Sequence, residues 1–370
     1  MKLNIFFKLL LICCTLIIVS CKNDILSPDI ELATPITSSV DLINFKAAFV
    51  LFNNRNSIGI FNTEKNEFVN FIYIENAKFL SSISLSKIYK NVVLTIPNSQ
   101  VENINNFNTK LIDEKTQNFN NGYLIKISTE DGRTLSTTKI NGTNFDAEYL
   151  PNEKEIWTTS FENINDNFIK GKVYFIDPVN LQNLGFIEVE NKPIDIAFSK
   201  DGLYGFVLNY GSQSVSIVSV KTKKIVNTIK VGKNPKKLIT TLDGKLFVIN
   251  EGDNSINVFN TSDFKIQTTY HIDVKPTSVN CSPRGDIWVS SSESNKVYFY
   301  SKLSDIKTGE IESGKGANDI TFSNDGKFCF VTNSLEGTIS KINIDQKSIV
   351  KSNYINSYPT KFVDINSFSN

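Results

Sequence analysis

From about residue 190 onward, short runs of alternating apolar and polar residues recur at a fixed spacing, and none of them has a helical period. Each unit opens on a turn dipeptide, and successive glycines of these dipeptides are 42, 41 and 41 residues apart. The dipeptides are Asp201-Gly202, Asp243-Gly244, Arg284-Gly285 and Asp325-Gly326. Each is followed by three strand-like runs and then, after a turn often marked by proline, by a fourth. Four short strands per unit of about 41 residues are typical of a β-propeller blade.

The same runs continue through the N-terminal half, where the repeat is degenerate. The strand after the turn occurs seven times, first at Ala47–Phe52, Asn91–Ile96 and 154–159 and then after the four dipeptides. The strand before the turn also occurs seven times, at 79–86, 145–150, 193–199, 235–241, 276–282, 318–323 and 359–366. The run 359–366 therefore supplies the inner strand of the blade that begins at Ala47. We predict an all-β, seven-bladed β-propeller with four-stranded blades, closed by a blade shared between the N- and C-termini; six or eight blades are the alternatives.

Several strings in the regular half resemble a known repeat. They are Phe206-Val-Leu-Asn209, Phe247-Val-Ile-Asn250, Phe330-Val-Thr-Asn333, Gly232-x-x-Pro235 and Ser323-Asn-Asp-Gly326. They look like the YVTN-family β-propeller repeat, which includes the YncE-like extracytoplasmic proteins; the match is strong over 190–370 and weaker over 47–190. The resemblance implies a seven-bladed propeller and little about activity, because propellers host many unrelated functions. The functional analogues it suggests are the cobalamin-capturing surface lipoproteins of Bacteroidetes, although no motif specific to them is present.

The N-terminus has the pattern of an export signal. Lys2 and Lys8 are followed by an apolar run of 11 residues, 9–19, which is too short to span a bilayer and has the length of a signal-peptide core. The run ends in Ile18-Val19-Ser20-Cys21, which resembles a bacterial lipobox and implies that Cys21 is acylated after cleavage before it. We expect a lipoprotein signal peptide over 1–20, a lipidated tether over 21–44 and the propeller over 45–370. An ordinary secretory signal with a chance cysteine is the alternative.

Composition narrows the chemistry. With 39 Lys+Arg against 38 Asp+Glu, the chain has no net attraction for nucleic acid, and its 40% hydrophobic content excludes disorder. The single histidine, His271, lies in an outermost strand, which excludes a Ser-His-Asp triad. We therefore predict no catalytic residue, metal site or cofactor. Cys281 and Cys329 lie in strand-like runs as small buried hydrophobes, and the sequence leaves open whether they are bonded.

The loops predict where a ligand binds. Two insertions, 97–122 and 160–171, extend the same loop in consecutive blades, and insertions on one face of a repeat fold mark its binding face. They carry Phe107, Phe119 and Phe161 as candidate apolar contacts. The regular loops of that face add the candidates Arg55, Asn209, Tyr210, Asn250, Glu251, Asp253, Asn333 and Glu336, with Lys192, Lys233, Lys275 and Lys315 in the loops that enter the inner strands. The alternatives are that the Asn-rich insertion is filler and that the recurrent asparagines are turn residues.

These observations favour a lipid-anchored extracytoplasmic binding module in the bacterial envelope, attached to the outer membrane through Cys21. Its expected partners are a small polar molecule and, by the resemblance, a TonB-dependent transporter served by nutrient capture. The alternatives are a lactonase-like enzyme, since seven-bladed lactonases share the architecture, and a structural envelope scaffold.

Overall fold

The computed structural model describes residues 47–364, except 53–55, 75–76, 78–79, 98–121, 166–167, 242, 273, 302–305, 324 and 356. These residues form seven four-stranded antiparallel sheets. The innermost strand of each sheet contacts the innermost strands of the sheets before and after it, so the seven sheets close into a ring. The predicted seven-bladed β-propeller is confirmed. The described part of the chain contains no helix that could cross a membrane.

Each blade runs from an innermost strand beside the axis to an outermost strand at the periphery. In that order, blade 1 consists of β28 (Pro359–Asp364), β1 (Ala47–Phe52), β2 (Ser57–Asn62) and β3 (Glu67–Tyr73). Blade 2 consists of β4 (Ser82–Ser86), β5 (Asn91–Ile96), β6 (Gly122–Ser128) and β7 (Thr134–Ile140). Blade 3 consists of β8 (Ala147–Tyr149), β9 (Ile156–Asn165), β10 (Phe168–Ile176) and β11 (Asn183–Val189).

The other four blades are regular. Blade 4 consists of β12 (Pro193–Phe198), β13 (Tyr204–Asn209), β14 (Ser214–Ser219) and β15 (Lys224–Lys230). Blade 5 consists of β16 (Pro235–Thr240), β17 (Lys245–Asn250), β18 (Ser255–Asn260) and β19 (Ile266–His271), with a 3-10 turn at Glu251–Asp253. Blade 6 consists of β20 (Pro276–Cys281), β21 (Ile287–Ser291), β22 (Lys296–Tyr300) and β23 (Lys307–Glu312). Blade 7 consists of β24 (Ala317–Phe322), β25 (Phe328–Asn333), β26 (Thr338–Asn343) and β27 (Ser348–Tyr354).

Blade 1 is the shared blade that the sequence predicts. β28 pairs with β1 in an antiparallel ladder in which Val50 lies opposite Phe362. Phe362 stacks on Phe330 of blade 7 at 4.9 Å between ring centroids and meets Phe61 of blade 1 edge-on at 5.7 Å. The last strand of the chain thus completes both a hydrogen-bonded sheet and an aromatic core between blades 7 and 1.

The recurrent turn dipeptides join each inner strand to the next strand. Gly202 and Gly326 have φ angles of 67° and 65°, in the left-handed region that glycine adopts without steric cost. Asp201 accepts hydrogen bonds from the Ser199 hydroxyl and the backbone N–H of Leu203, which closes the turn. We call the end of the propeller that carries these turns the turn face, and the opposite end the loop face.

Blade 3 departs from the sequence prediction. The segment 160–171 is not a loop insertion, because β9 and β10 continue as a longer hairpin of ten and nine residues in which Phe161 pairs with Gly171. The other insertion, with Phe107 and Phe119, lies outside the described residues, as do Arg55 and Cys21. Cys329 is buried and Cys281 half-buried, and the two form no disulfide with each other.

Candidate functional site in the central channel

Five of the seven inner strands share one irregularity at the loop face. In β12 the ladder to β13 shifts between Pro193 and Asp195, which leaves Ile194 as a bulged residue. The same shift occurs in β16, β20, β24 and β28, after Pro235, Pro276, Ala317 and Pro359. A bulge turns two successive side chains toward one side of a strand, where a regular strand would alternate them. In these five blades the bulge therefore directs a pair of residues toward the central channel.

These pairs form two tiers around the axis. The upper tier consists of the bulged residues and their counterparts, Ser81, Phe145, Ile194, Lys236, Thr277, Asn318 and Thr360, all of which line one cavity. The lower tier consists of the next residue of each blade, Ser82, Asp146, Asp195, Lys237, Ser278, Asp319 and Lys361. The lower tier is polar in every blade, although the second strands that pair with these inner strands are largely apolar.

The cavity between these residues has a volume of about 170 Å³. One arc of its wall is apolar and is formed by Leu51, Leu80, Phe145 and Ile194. Phe145 is held in place by Phe161, whose ring is stacked on it at 5.5 Å. The rest of the wall carries lysines, aspartates and hydroxyl groups. The wall therefore combines an apolar arc with convergent polar groups, the two kinds of contact that small-molecule sites use.

Each lysine that lines the cavity has a carboxylate partner. Lys237 Nζ lies 2.5 Å from Asp319 Oδ1 and 3.1 Å from Ser278 Oγ. Lys361 Nζ lies 3.4 Å from Glu148 Oε1. Glu148 follows Asp146 by two residues in the same blade. Lys236 Nζ lies 3.4 Å from Glu251 Oε1 at the rim.

The aspartates of the lower tier join neighbouring blades. Asp146 Oδ2 accepts the backbone N–H of Ile196 in the next blade at 3.0 Å. Asp195 repeats this contact with Leu238 at 2.5 Å, and Asp319 repeats it with Phe362 at 3.2 Å. These carboxylates therefore satisfy inner-strand donors while facing the channel.

The channel changes the proton affinity of its acidic groups. Burial, together with the charge of Asp146, raises the pKa of Asp195 well above its ordinary value. Burial also raises the pKa of Glu148 to about 7, with Lys361 opposing the shift and Asp146 adding to it. Burial lowers the pKa of Lys361, but the surrounding carboxylates outweigh that effect and raise it above its ordinary value. At neutral pH the channel therefore holds the Glu148 carboxyl close to the midpoint of its ionisation, beside the charged ammonium of Lys361.

The recurrent asparagines predicted as ligand contacts are fully buried. Asn209 donates to Ser214 Oγ and Ser216 Oγ, at 3.2 and 2.8 Å. Asn250 and Asn333 make equivalent bonds to the third strands of their own blades. This placement matches the alternative interpretation that they are turn residues, since each amide fixes the hairpin at the loop face.

The other predicted contacts lie around the rim. Glu251 pairs with Lys236, which lines the cavity, and Tyr210 lies close enough to Glu251 for its pKa to be raised by that charge as well as by burial. Asp253 accepts the backbone N–H of Lys233, and Glu336 accepts that of Lys315. Phe161 is 5% exposed, so it supports the cavity wall through Phe145 and does not form an outer contact surface.

The sequence-based prediction places the ligand site in the loops and therefore omits the inner-strand residues that line the cavity. A signal for them was present: Asp195 and Asp319 interrupt apolar runs at the same position of their strands, and Lys237 and Lys361 occupy that position in two other blades. Recognising it requires the bulge, since strict alternation would place these residues and their predecessors on opposite sides.

We found no protein-family model and no curated protein that matches the chain. Its fold is similar to the periplasmic gluconolactonase PpgL of Pseudomonas aeruginosa, with a TM-score of 0.68 and 11% identity, covering 86% of this chain and 98% of that one. A proposed 6-phosphogluconolactonase of Bacteroides fragilis matches with a TM-score of 0.65 and 18% identity, covering 87% and 99%. A protein of unknown function from Desulfotomaculum acetoxidans matches with a TM-score of 0.66 and 15% identity, covering 86% and 98%.

At these identities the similarity defines the fold alone. The chain is a seven-bladed β-propeller whose structural neighbours include lactonase-like propellers. Membership of the YVTN or YncE-like group stays a prediction.

Proposed function

We propose that the protein is a binding module that takes a small polar ring molecule into the loop-face end of its central channel. The observation that carries this proposal is the two-tiered cavity, in which the bulges of successive inner strands direct paired side chains toward one open-mouthed space. Its volume of about 170 Å³ is comparable with cavities of about 150 Å³ that accept a benzene ring. One six-membered ring therefore suits it in size.

The binding test is calorimetry of the propeller, residues 45–370, against neutral monosaccharides and aldonolactones. Binding should weaken at least tenfold, about 1.4 kcal/mol, in Phe145→Ala, which removes the one aromatic ring of the apolar arc. The control is Phe186→Ala, a ring of the outermost strand of blade 3 that is 50% exposed. A panel without any binder, or equal loss in both variants, would overturn the proposal.

Lactone hydrolysis is the second candidate, and the environment of Glu148 favours it. A carboxyl with a pKa of about 7 is well suited to general acid–base catalysis at neutral pH. In that reaction Glu148 would take a proton from water as the water oxygen attacks the lactone carbonyl. The ring C–O bond then breaks, and the proton passes to the departing oxygen. The names of two structural neighbours refer to gluconolactone chemistry, which supports testing this substrate class.

Proton release on mixing with D-glucono-1,5-lactone distinguishes the two functions. An enzyme should accelerate release above the spontaneous rate, and Glu148→Gln should abolish the acceleration while Glu67→Gln, an exposed residue of β3, retains it. Binding without acceleration would leave the binding module as the function.

Membrane attachment through Cys21 and delivery to a transporter stay predictions. The first is tested by Cys21→Ala, which should abolish acyl labelling and release the protein from the detergent phase. Retention in that phase would contradict the lipid anchor.

A further inference from the structure

We infer that the cavity selects an uncharged polyhydroxylated ligand and excludes its phosphorylated or carboxylated counterpart. This inference rests on the proposed ligand site and deepens it by naming the charge class that the site accepts.

The first argument is that each positive charge lining the cavity already has an acidic partner. Among the described residues lining it, the cations are Lys236, Lys237 and Lys361. Their carboxylate partners, Glu251, Asp319 and Glu148, lie within 3.4 Å of the respective ammonium nitrogens. An anion entering the cavity would have to displace a carboxylate from one of these pairs.

The second argument is that two further carboxyl groups face the same space. Asp146 Oδ2 and Asp195 Oδ1 lie 3.0 and 3.2 Å from a single backbone nitrogen, that of Ile196. Their oxygens therefore converge between blades 3 and 4, and both residues line the cavity. A phosphate or carboxylate placed here would lose its hydration and meet additional acidic groups, whereas a hydroxyl can both donate to and accept from them.

The third argument concerns the loop lysines. Lys233, Lys275 and Lys315 are exposed in the loops that enter blades 5, 6 and 7, and none of them lines the cavity. Their backbone N–H groups or side chains contact acidic residues of the same face, as Lys275 does with Glu293 at 3.5 Å. They add positive charge to the rim without supplying a cation inside the site.

The apolar arc completes the match to a sugar-like ring. Phe145, Leu51 and Leu80 offer a surface for the C–H face of a ring, while the lower tier offers hydroxyl, carboxyl and ammonium groups to its edge. A charged substituent is the feature that this arrangement does not accommodate.

The test is calorimetry with matched pairs: D-glucose and D-glucose 6-phosphate, D-galactose and D-galactose 6-phosphate, and D-glucono-1,5-lactone and D-gluconate. For a pair whose neutral member binds, the anionic member should bind at least tenfold more weakly. Equal or tighter binding of the anionic member would overturn the inference while leaving the proposed ligand site intact. Failure of every neutral member would instead overturn the proposed site, so the two failures are distinguishable.

A charge variant checks the cause. Glu148→Gln removes the partner of Lys361 with little change of shape, so it should narrow the neutral-to-anionic preference by at least threefold. Glu67→Gln makes the same charge change on an outermost strand and should leave the preference unchanged. An unchanged preference in Glu148→Gln, or equal narrowing in both variants, would show that the pairing of Lys361 does not govern selectivity.

Discussion

Glu148 and Asp195 hold their protons more tightly than exposed carboxyl groups do, because the ring of blades withdraws them from bulk water and places Asp146 nearby. The positive charge of Lys361, 3.4 Å from Glu148, opposes part of the rise in the pKa of Glu148. The balance of these effects makes the channel responsive to pH within the physiological range.

This balance predicts how stability depends on pH. The pKa of Glu148 is raised from 4.5 to about 7, so between these values the folded state binds more protons than the unfolded state. The free energy of unfolding should therefore be highest near and below pH 4.5 with respect to this group and should fall as pH rises through 7, by at most about 1.4 kcal/mol per pH unit.

Urea titrations between pH 5 and 8 measure this slope. Glu148→Gln should make it shallower, because glutamine does not ionise, whereas Glu67→Gln should not change it. A slope equal in wild type and Glu148→Gln would contradict the shifted ionisation of Glu148.

At the scale of elements, β28 completes blade 1 and also contacts β24 and β25 of blade 7. Phe362 is 2% exposed and packs between Phe330 and Phe61. Phe362→Ala should lower the free energy of unfolding by about 3–5 kcal/mol through lost burial and the resulting cavity. Phe186→Ala, on the outermost strand β11, should cost less than about 1 kcal/mol because half of its ring is already exposed.

Urea denaturation of the two variants tests this difference. Similar destabilisation by both would mean that the aromatic core between blades 7 and 1 does not hold the ring closed.

The sequence was sufficient for the strands and their order because each blade repeats a local pattern. The run from residue 359, separated from β1 by the whole propeller, could be assigned to β1 by counting strands, and the structure confirms this pairing. The lower tier was not predicted, because which side chains converge on the axis depends on the bulge after Pro193 and its equivalents. The pairing of Lys237 with Asp319 joins blades 5 and 7, and no local pattern specifies such a contact.

The predicted role of the insertion after β5 in binding can be tested by shortening it. Ile96 pairs with Tyr123, so the β5–β6 ladder is closed at the base of the intervening segment. Replacing residues 99–120 by a four-residue loop should therefore leave the melting temperature within a few degrees of wild type. Binding of the neutral ligand or of the partner should weaken at least tenfold if the segment contributes contacts.

A folded variant with undiminished binding would restrict the site to the channel. A variant that fails to fold would contradict the independence of the ladder from this segment.

At the scale of the whole molecule, the described chain enters and leaves at the turn face. Ala48 lies opposite Asp364, while Phe52 lies opposite Pro359 near the cavity. The first described residue, Ala47, therefore lies on the face opposite the cavity.

Because Ala48 pairs with Asp364, blade 1 is a continuous hydrogen-bonded sheet although its strands come from opposite ends of the described chain. A short turn joining Asp364 to Ala47 would make the chain continuous through blade 1. New chain ends at Asp201-Gly202 would separate β12 from β13 along the chain, so that β12 would become the strand that closes the ring in blade 4. Such a circular permutant should retain the strand content and the ligand affinity of wild type, as measured by circular dichroism and calorimetry. Loss of either would mean that blade 1 is a required site of closure; retention of both would mean that blade 4 can take over this role.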